Sequence, residues 1–460
     1  MLDKYLKSRI PEAERLVRDL GKSYDYVSVL GTLVHTGQIR VSTHINSVED
    51  VDNECGFVIK LYKDGRYSEY SCNDIKGLKA KKVIEAVKLD KIVSADFNVR
   101  MLEEEEHVED YLREDDSKLS DKQIISLLSE TKDSIEKADE RVINVNAVYV
   151  KRQTSKIFVS RKKRLSQKYD WINVMTVVVV RDGDNIKSNY RAEGEANSEL
   201  ALKKFKENAK GFLDITLKLL EATPIKPGKY TIITDPSISG LIAHEAFGHG
   251  VEMDMFVKNR AKAKDFVGKY VASPLVNMYD GAASCVSAAS YFFDDDGVEA
   301  HNTQIIKDGI LQTGISDCLS AMELGSVPTG NGRRQDFSRK VYTRMTNTWF
   351  GKGKDKLEDM IKSVEYGYYL CQTNNGMEDP KNWQIQCTAE YGLEIKDGKF
   401  TGKIVAPVVI SGYVIDLLNS ISMVSDEVTV LGSGMCGKGH KEWVYVSDGG
   451  PYLKAEAKLG

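Results

Sequence analysis

The sequence predicts an α+β protein in two parts, and three observations carry that expectation. Residues 24–70 and 147–190 each alternate apolar and polar side chains in the manner of long antiparallel hairpins, with helical stretches beside them. Pro224 and Pro227 end a stretch that holds no proline after Pro11. Beyond them come glycine-rich loops, short strands and Asp-Gly turns, interrupted by a histidine-bearing helix. The expected layout is an N-terminal α/β domain over residues 1–225, made of duplicated antiparallel meanders and helices. A C-terminal, mainly antiparallel β domain over residues 226–460 carries the histidine helix.

Taken in order, residues 2–20 read as an amphipathic helix with Leu6, Ile10, Leu16, Val17 and Leu20 on one side, closed by Gly21. Val27–Val29, Leu33–His35, Ile39–Val41, Phe57–Leu61 and Tyr67–Tyr70 are strand-like, with a hairpin signal at Asp64-Gly65. Residues 75–89 look helical. The acidic run Glu103–Glu106 reads as a solvated connector. Ser120 and Gln123 form a capping box behind Leu119 and should start a helix reaching about Ala138. Ala147–Val150, Lys156–Val159, Val174–Val180 and Ser188–Tyr190 then repeat the first pattern. The basic run Arg161–Arg164 falls at the turn between hairpins. A long helix over 198–222, capped by Asn197 or Ser198, closes this half. In the second half, Tyr230–Ile233 is a strand, and the turn Asp235-Pro236-Ser237 leads into the histidine helix. The triplet Asp294-Asp295-Asp296 lacks the alternating acids of a calcium loop and reads as a hairpin turn.

Composition narrows the function. A formal charge of -4 gives no broad field for nucleic acid, and no apolar run is long enough to span a bilayer. The start of the chain is an amphipathic helix, so no signal peptide is expected. Seven scattered cysteines, an odd number, suit reduced cytoplasmic thiols better than a disulfide framework.

The chemistry concentrates in Leu241-Ile-Ala-His244-Glu245-Ala-Phe-Gly248-His249-Gly250. Two of only seven histidines flank a carboxylate in an otherwise small and apolar segment. In the HExxH motif of zinc peptidases, residues four apart lie ~40° apart on a helix, so both imidazoles face one ion. Here the spacing is HExxxH, and five residues on an ideal helix separate the rings by ~140°. Joint ligation requires the helix to widen, as in a π-bulge, or to end near His249, and Gly248 and Gly250 permit either. A catalytic zinc takes three protein ligands plus a water. The third ligand is one of Glu252, Asp254 and Cys436, the last lying in the glycine-rich stretch Gly432-Ser-Gly434-Met435-Cys436-Gly437-Lys438. Mixed nitrogen and sulfur donors favour zinc over magnesium.

His244–Glu252, Arg344-Met-Thr-Asn347-Thr348 and Gly432–Lys438 together resemble the signature segments of the TldD/PmbA family, and within it the metal-bearing, TldD-like branch. The likeness is strong over 226–460 and weak before it. It implies a cytoplasmic zinc metallopeptidase acting on short or unfolded peptides, as a homodimer or paired with a metal-free paralogue. It places the zinc ligands at His244, His249 and Cys436 and the catalytic acid at Glu245. In such a site zinc lowers the pKa of its water to ~7, and Glu245 takes the proton and returns it to the leaving amine. Arg344, Asn347, Tyr391 and His440 are the expected substrate or oxyanion donors. A β-rich wall can take the peptide as an added strand, with residues 328–339 lining the groove.

Two rival readings follow from the same residues. Gly432–Gly437 matches GxGxxG, but Trp443–Gly449 behind it reads as a strand, and too few residues remain for a dinucleotide-binding unit. A non-catalytic interaction protein, such as a modulator of a DNA enzyme with a structural metal or none, is the second. The glutamate beside His244 argues against it, because a structural zinc has four closed protein ligands.

Overall fold

The computed structural model describes residues 2–87, 91–92, 106–439 and 442–460. Glu103–Glu105 and His440 therefore lie outside the described residues. The mixed α+β class expected from the sequence is what the chain adopts.

The first half builds one eight-stranded sheet. Helix α1 (Lys4–Leu20) precedes the meander β1 (Tyr26–Ser42), β2 (Asn46–Lys63) and β3 (Arg66–Cys72), and α2 (Ala80–Ala86) and β4 (Lys91–Ile92) follow. Next come β5 (His107–Arg113) and α3 (Asp121–Glu136). A second meander, β6 (Val142–Val159), β7 (Lys163–Asp182) and β8 (Asn185–Glu195), ends in α4 (Ser198–Lys218). The strand order is β4-β3-β2-β1-β6-β7-β5, with β8 also on β7. The two meanders thus share one sheet through the antiparallel β1–β6 ladder, in which Val29 faces Val159. Sequence fragments that look like separate strands, such as Val27–Val29 and Ile39–Val41, are parts of one 17-residue strand. Helix α2 starts later than the expected residue 75, because Gly77, at φ +67, precedes it in the left-handed region; residues 88 and 89 of that expectation lie outside the described residues. The Ser120–Gln123 capping box forms, and the Asn197 side chain accepts from the Leu200 N–H. Helix α1 packs Leu6, Leu16 and Leu20 against Val29, Phe57 and Ile157, each such side chain contributing about 2 kcal/mol of burial.

The second half begins with β9 (Gly228–Thr234), α5 (Pro236–Ala243) and α6 (Met253–Val257). Short elements follow: β10 (Met278–Asp280), β11 (Thr303–Lys307), β12 (Ile310–Leu311), α7 (Cys318–Glu323), β13 (Gly332–Arg333), β14 (Tyr342–Thr343), β15 (Asn347–Phe350) and α8 (Leu357–Lys362). Longer strands close the chain: β16 (Tyr366–Asp379), β17 (Gln384–Lys396), β18 (Lys399–Val405), β19 (Val408–Tyr413), β20 (Met423–Val424), β21 (Thr429–Lys438), β22 (Glu442–Gly450) and β23 (Leu453–Leu459), with α9 (Val414–Asn419) between β19 and β20. One sheet runs β12-β11-β10-β15-β22-β21. Another runs β16-β9-β23-β19-β17-β18, and pairing of β16 with β17 closes five of its strands into a ring. Pairings are mainly antiparallel; β9–β16 and β15–β22 are parallel.

Helix α5 lies between these two sheets, against β22 and β15 on one side and β16 on the other. Ser237–Ala243 are all buried, as expected of a helix apolar on every side. Gly240 permits the approach to β22, since a Cβ there would fall 2.3 Å from the Gly449 nitrogen. The halves meet through charge. Lys60 pairs with Asp296, Lys156 with Asp295, and Arg334 with Glu69 at 3.1 Å. The acidic triplet is a tight turn, as its sequence suggests, with Gly297 at φ +73. It also supplies two of the acids that join the halves. No described helix is long and apolar enough to cross a membrane.

Candidate metal centre

Helix α5 starts where Asp235 caps it, accepting the Ile238 N–H at 2.8 Å with Pro236 at the first position. The same carboxylate accepts the Gln372 N–H at 2.9 Å and so ties the helix to β16. At its end the backbone widens into a π-turn over His244–Gly248, with the His249 N–H bonded to the His244 carbonyl. It then tightens to a 3-10 turn over His249–Val251. This is the widening that a five-residue spacing requires. Gly248 has a φ of -78, open to any residue. It is small for another reason, because a Cβ would fall 2.0 Å from the Met345 sulfur.

The turn brings the two imidazoles together at right angles, centroids 5.1 Å apart. Cys436, some 190 positions later, reaches them from β21: its Sγ lies 3.4 Å from His249 Nε2. One ligand atom from each of His244, His249 and Cys436 lies within 4.8 Å of the others. Zn–N and Zn–S bonds at a tetrahedral angle would place nitrogen and sulfur ~3.6 Å apart. His244 Nδ1 is buried with no hydrogen-bond partner. This donor set fits a metal ion of zinc's preferences. Burial alone would raise the Cys436 thiol, but the two adjacent imidazoles hold it well below its usual range. Burial disfavours the His249 cation, yet the Cys436 sulfur and Glu252 hold its pKa well above the usual value.

Glu252 and Asp254, the other candidate third ligands, stand one layer back. Glu252 Oε2 lies 3.2 Å from His249 Nδ1 and 3.1 Å from Lys438 Nζ. Asp254 takes the same ammonium at 2.7 Å. Cys436 and Lys438, two apart on β21, project to the same side, so one strand supplies the thiol and the cation beneath it. Glu252 orients His249 through the ring nitrogen opposite the thiol.

Glu245 is buried beside His244 and lies on β16 at Gly376, where a Cβ would fall 2.6 Å from its Cγ. Two further acids near it were not singled out from sequence. Glu378, two residues beyond Gly376, has neither carboxylate oxygen partnered, and burial with the neighbouring acids pushes it up to about 9. Asp448 on β22 is pushed to about 6, by burial first and by Glu245 after it. A lone acid in a strand gives no pattern to read, and only the fold brings these two to the turn.

The expected substrate donors are placed elsewhere. Arg344 is fully buried and donates to the carbonyls of Cys436 at 2.6 Å and Glu442 at 3.0 Å, so it fastens the strand that carries the thiol. Asn347 is fully buried and donates to the Gly281 carbonyl and Ser290 Oγ. Tyr391 packs with Leu219, Cys371 and Ile404. The segment 328–339 is partly buried, at Asn331 and Arg334 among others, and its residues 333–336 line a cleft that none of the His244–His249–Cys436 group lines.

Residues 227–457, half of the chain, match the family model described as the PmbA/TldA metallopeptidase C-terminal domain. The chain belongs to the PmbA/TldD family. Among relatives of this PmbA/TldD protein, a metalloprotease of Synechocystis is 28% identical over 342 residues, covering 73% of this chain and 72% of its own. A protein of Saccharolobus solfataricus named as a zinc metalloprotease and TldD homologue is 31% identical over 240 residues, 52% of this chain and 53% of its own. The fold matches a candidate modulator of a DNA gyrase from Thermotoga maritima with a TM-score of 0.78 at 20% identity, covering 98% of this chain and 99% of that one. It also matches TldE from Thermococcus kodakarensis, TM-score 0.73 at 18% identity, over 98% and 100%. Metallopeptidase is the activity at family level, and among the described residues the His244–His249–Cys436 group is the one able to hold such a metal.

Proposed function

We propose that this protein is a zinc-dependent peptidase hydrolysing short or unfolded peptides, with His244, His249 and Cys436 as ligands and Glu245 as the proton carrier. The observation that carries this reading is the approach of Cys436 Sγ to His249 Nε2 at 3.4 Å, from a strand some 190 positions later in the chain. A bound zinc would supply Lewis-acid polarisation of the scissile carbonyl and an acidified water. Two protein ligands and an adjacent carboxylate within one turn, with a third ligand from afar, leave a fourth position for that chemistry.

The chain's own residues divide the remaining work. Glu252 holds His249 so that Nε2 faces the ion. Arg344 and Lys438 tie the strand of Cys436 to the segment at Thr343 and Arg344. Glu245, confined by Gly376, takes a proton from the attacking water and delivers it to the departing amine. The names of the relatives support a peptide substrate, and the family resemblance implies a second subunit, a paralogue or another copy. Seven thiols, none in a disulfide, suit a reducing cytoplasm.

The test is Glu245→Gln in metal-loaded protein. Zinc content should match wild type, while peptide hydrolysis falls by at least ~10²-fold. Cleavage at the wild-type rate would remove Glu245 from the mechanism.

A further inference from the structure

A cleft of about 650 Å³ opens between the first-half sheet and the β21–β22 hairpin, and none of the His244–His249–Cys436 group lines it. Met435 precedes Cys436 on β21, so the two side chains leave opposite faces of the hairpin. Met435 pairs across the ladder with Tyr445, and Gly437 with Trp443. The metal centre and the cleft therefore occupy the two sides of one hairpin.

Two guanidinium groups in the cleft have no carboxylate partner among the described residues. Arg152 makes no hydrogen bond or ion pair to a described residue, and its charge lies 5.0 Å from the centre of the Tyr445 ring. Arg333 donates to the backbone carbonyls of Met345 and Tyr445, at 2.5 and 2.7 Å. The acids that line the same walls are already engaged. Asp294 accepts three backbone N–H groups, Asp295 holds Lys156 and the Arg334 N–H, and Asp336 accepts from Ser338. Glu54 accepts the Phe337 N–H, and burial, opposed by Lys156 and Arg152, pushes its carboxyl up to about 7, so it carries only about half a charge at neutral pH. A rim of apolar surface adjoins these charges, with Met435 and Trp443 about half exposed.

We propose that this cleft is a second binding site, taking the carboxy-terminal end of a short peptide with an apolar last residue. The guanidinium of Arg152 would receive the terminal carboxylate, with Arg333 reinforcing the positive field. Trp443 and Met435 would cover the apolar side chain. The volume suits a ligand of a few residues. The peptide character of the ligand rests on the peptidase reading. The preference for an anion with an apolar body rests on the cleft alone.

Tryptophan fluorescence of the zinc-loaded Glu245→Gln protein, titrated with N-acetyl-leucyl-phenylalanine, tests this. Trp171 and Trp443 both line the cleft and report occupancy. The acid should bind saturably. Its carboxy-terminal amide and acetate should each bind at least tenfold more weakly. Arg152→Met should bring the acid to the level of the amide, and Arg152→Lys, which keeps the charge and loses the fork, should fall between. Equal binding of acid and amide, or unchanged binding by Arg152→Met, overturns the site. Acetate binding as tightly as the dipeptide overturns the peptide assignment. The titration reads binding rather than cleavage, so its outcome is separate from the role of Glu245.

Discussion

Replacing Glu252 by glutamine separates the residue that orients a ligand from the ligands themselves. Glu252 Oε2 contacts His249 Nδ1 at 3.2 Å and Lys438 Nζ at 3.1 Å, and the side chain is 2% exposed. Glutamine keeps the shape and can still accept from the ring, but it removes the negative charge that favours this ring orientation. The lysine is not stranded, because Asp254 at 2.7 Å and the Thr343 carbonyl at 2.9 Å remain. Loss of such a partner behind a ligating histidine costs 10- to 100-fold in metal affinity, about 1.4 to 2.7 kcal/mol. Competition between the protein and a chromophoric chelator for zinc reads this directly, with urea unfolding of the metal-free protein as the control. A variant that holds zinc as tightly as wild type, while folding normally, would refute the claim that Glu252 supports a metal-bound His249.

Three further outcomes are expected. Gly376→Ala should displace the Glu245 carboxylate, because the new methyl would fall 2.6 Å from its Cγ; zinc content should hold while peptide kcat/KM drops ~10²-fold. Arg344→Met should leave the buried carbonyls of Cys436 and Glu442 without their donor and cost about 3 kcal/mol, read from urea midpoints. Glu69→Gln should remove about 3 kcal/mol at pH 7. Burial opposes the Glu69 charge, but Arg334 and Lys60 override it and hold the carboxyl at about 2 against an ordinary 4.5. A depressed folded-state pKa gives stability that is complete above the unfolded value and lost as pH falls through the folded one. The gap between wild type and variant should therefore close between about pH 4.5 and pH 2, and a gap independent of pH would contradict the pairing.

How far the sequence could be read depended on whether a residue's task left a local trace. The π-turn was legible because angular arithmetic on His244 and His249 leaves no regular helix that points both rings at one ion. Its glycines were legible as a departure from the helix but misassigned in cause: Gly248 makes room for Met345, a contact between distant segments that no local pattern encodes. The three candidates for the third ligand could not be ranked by spacing, since all depend on where β21 lies relative to the turn. Resemblance chose Cys436, and the geometry supplies the physical reason, with Glu252 and Asp254 already held by His249 and Lys438. Arg344 and Asn347 mislead for the opposite reason. A polar side chain in a distinctive motif looks the same whether it faces a substrate or a buried carbonyl, and only burial tells the two apart. The same ambiguity concealed Glu378 and Asp448, which are unremarkable in sequence and become unusual only when the fold withholds partners from one and water from the other. A metal centre assembled from one turn and one remote strand is thus readable at the turn. The surroundings that set its charge come from four elements, and they follow from the sheet order.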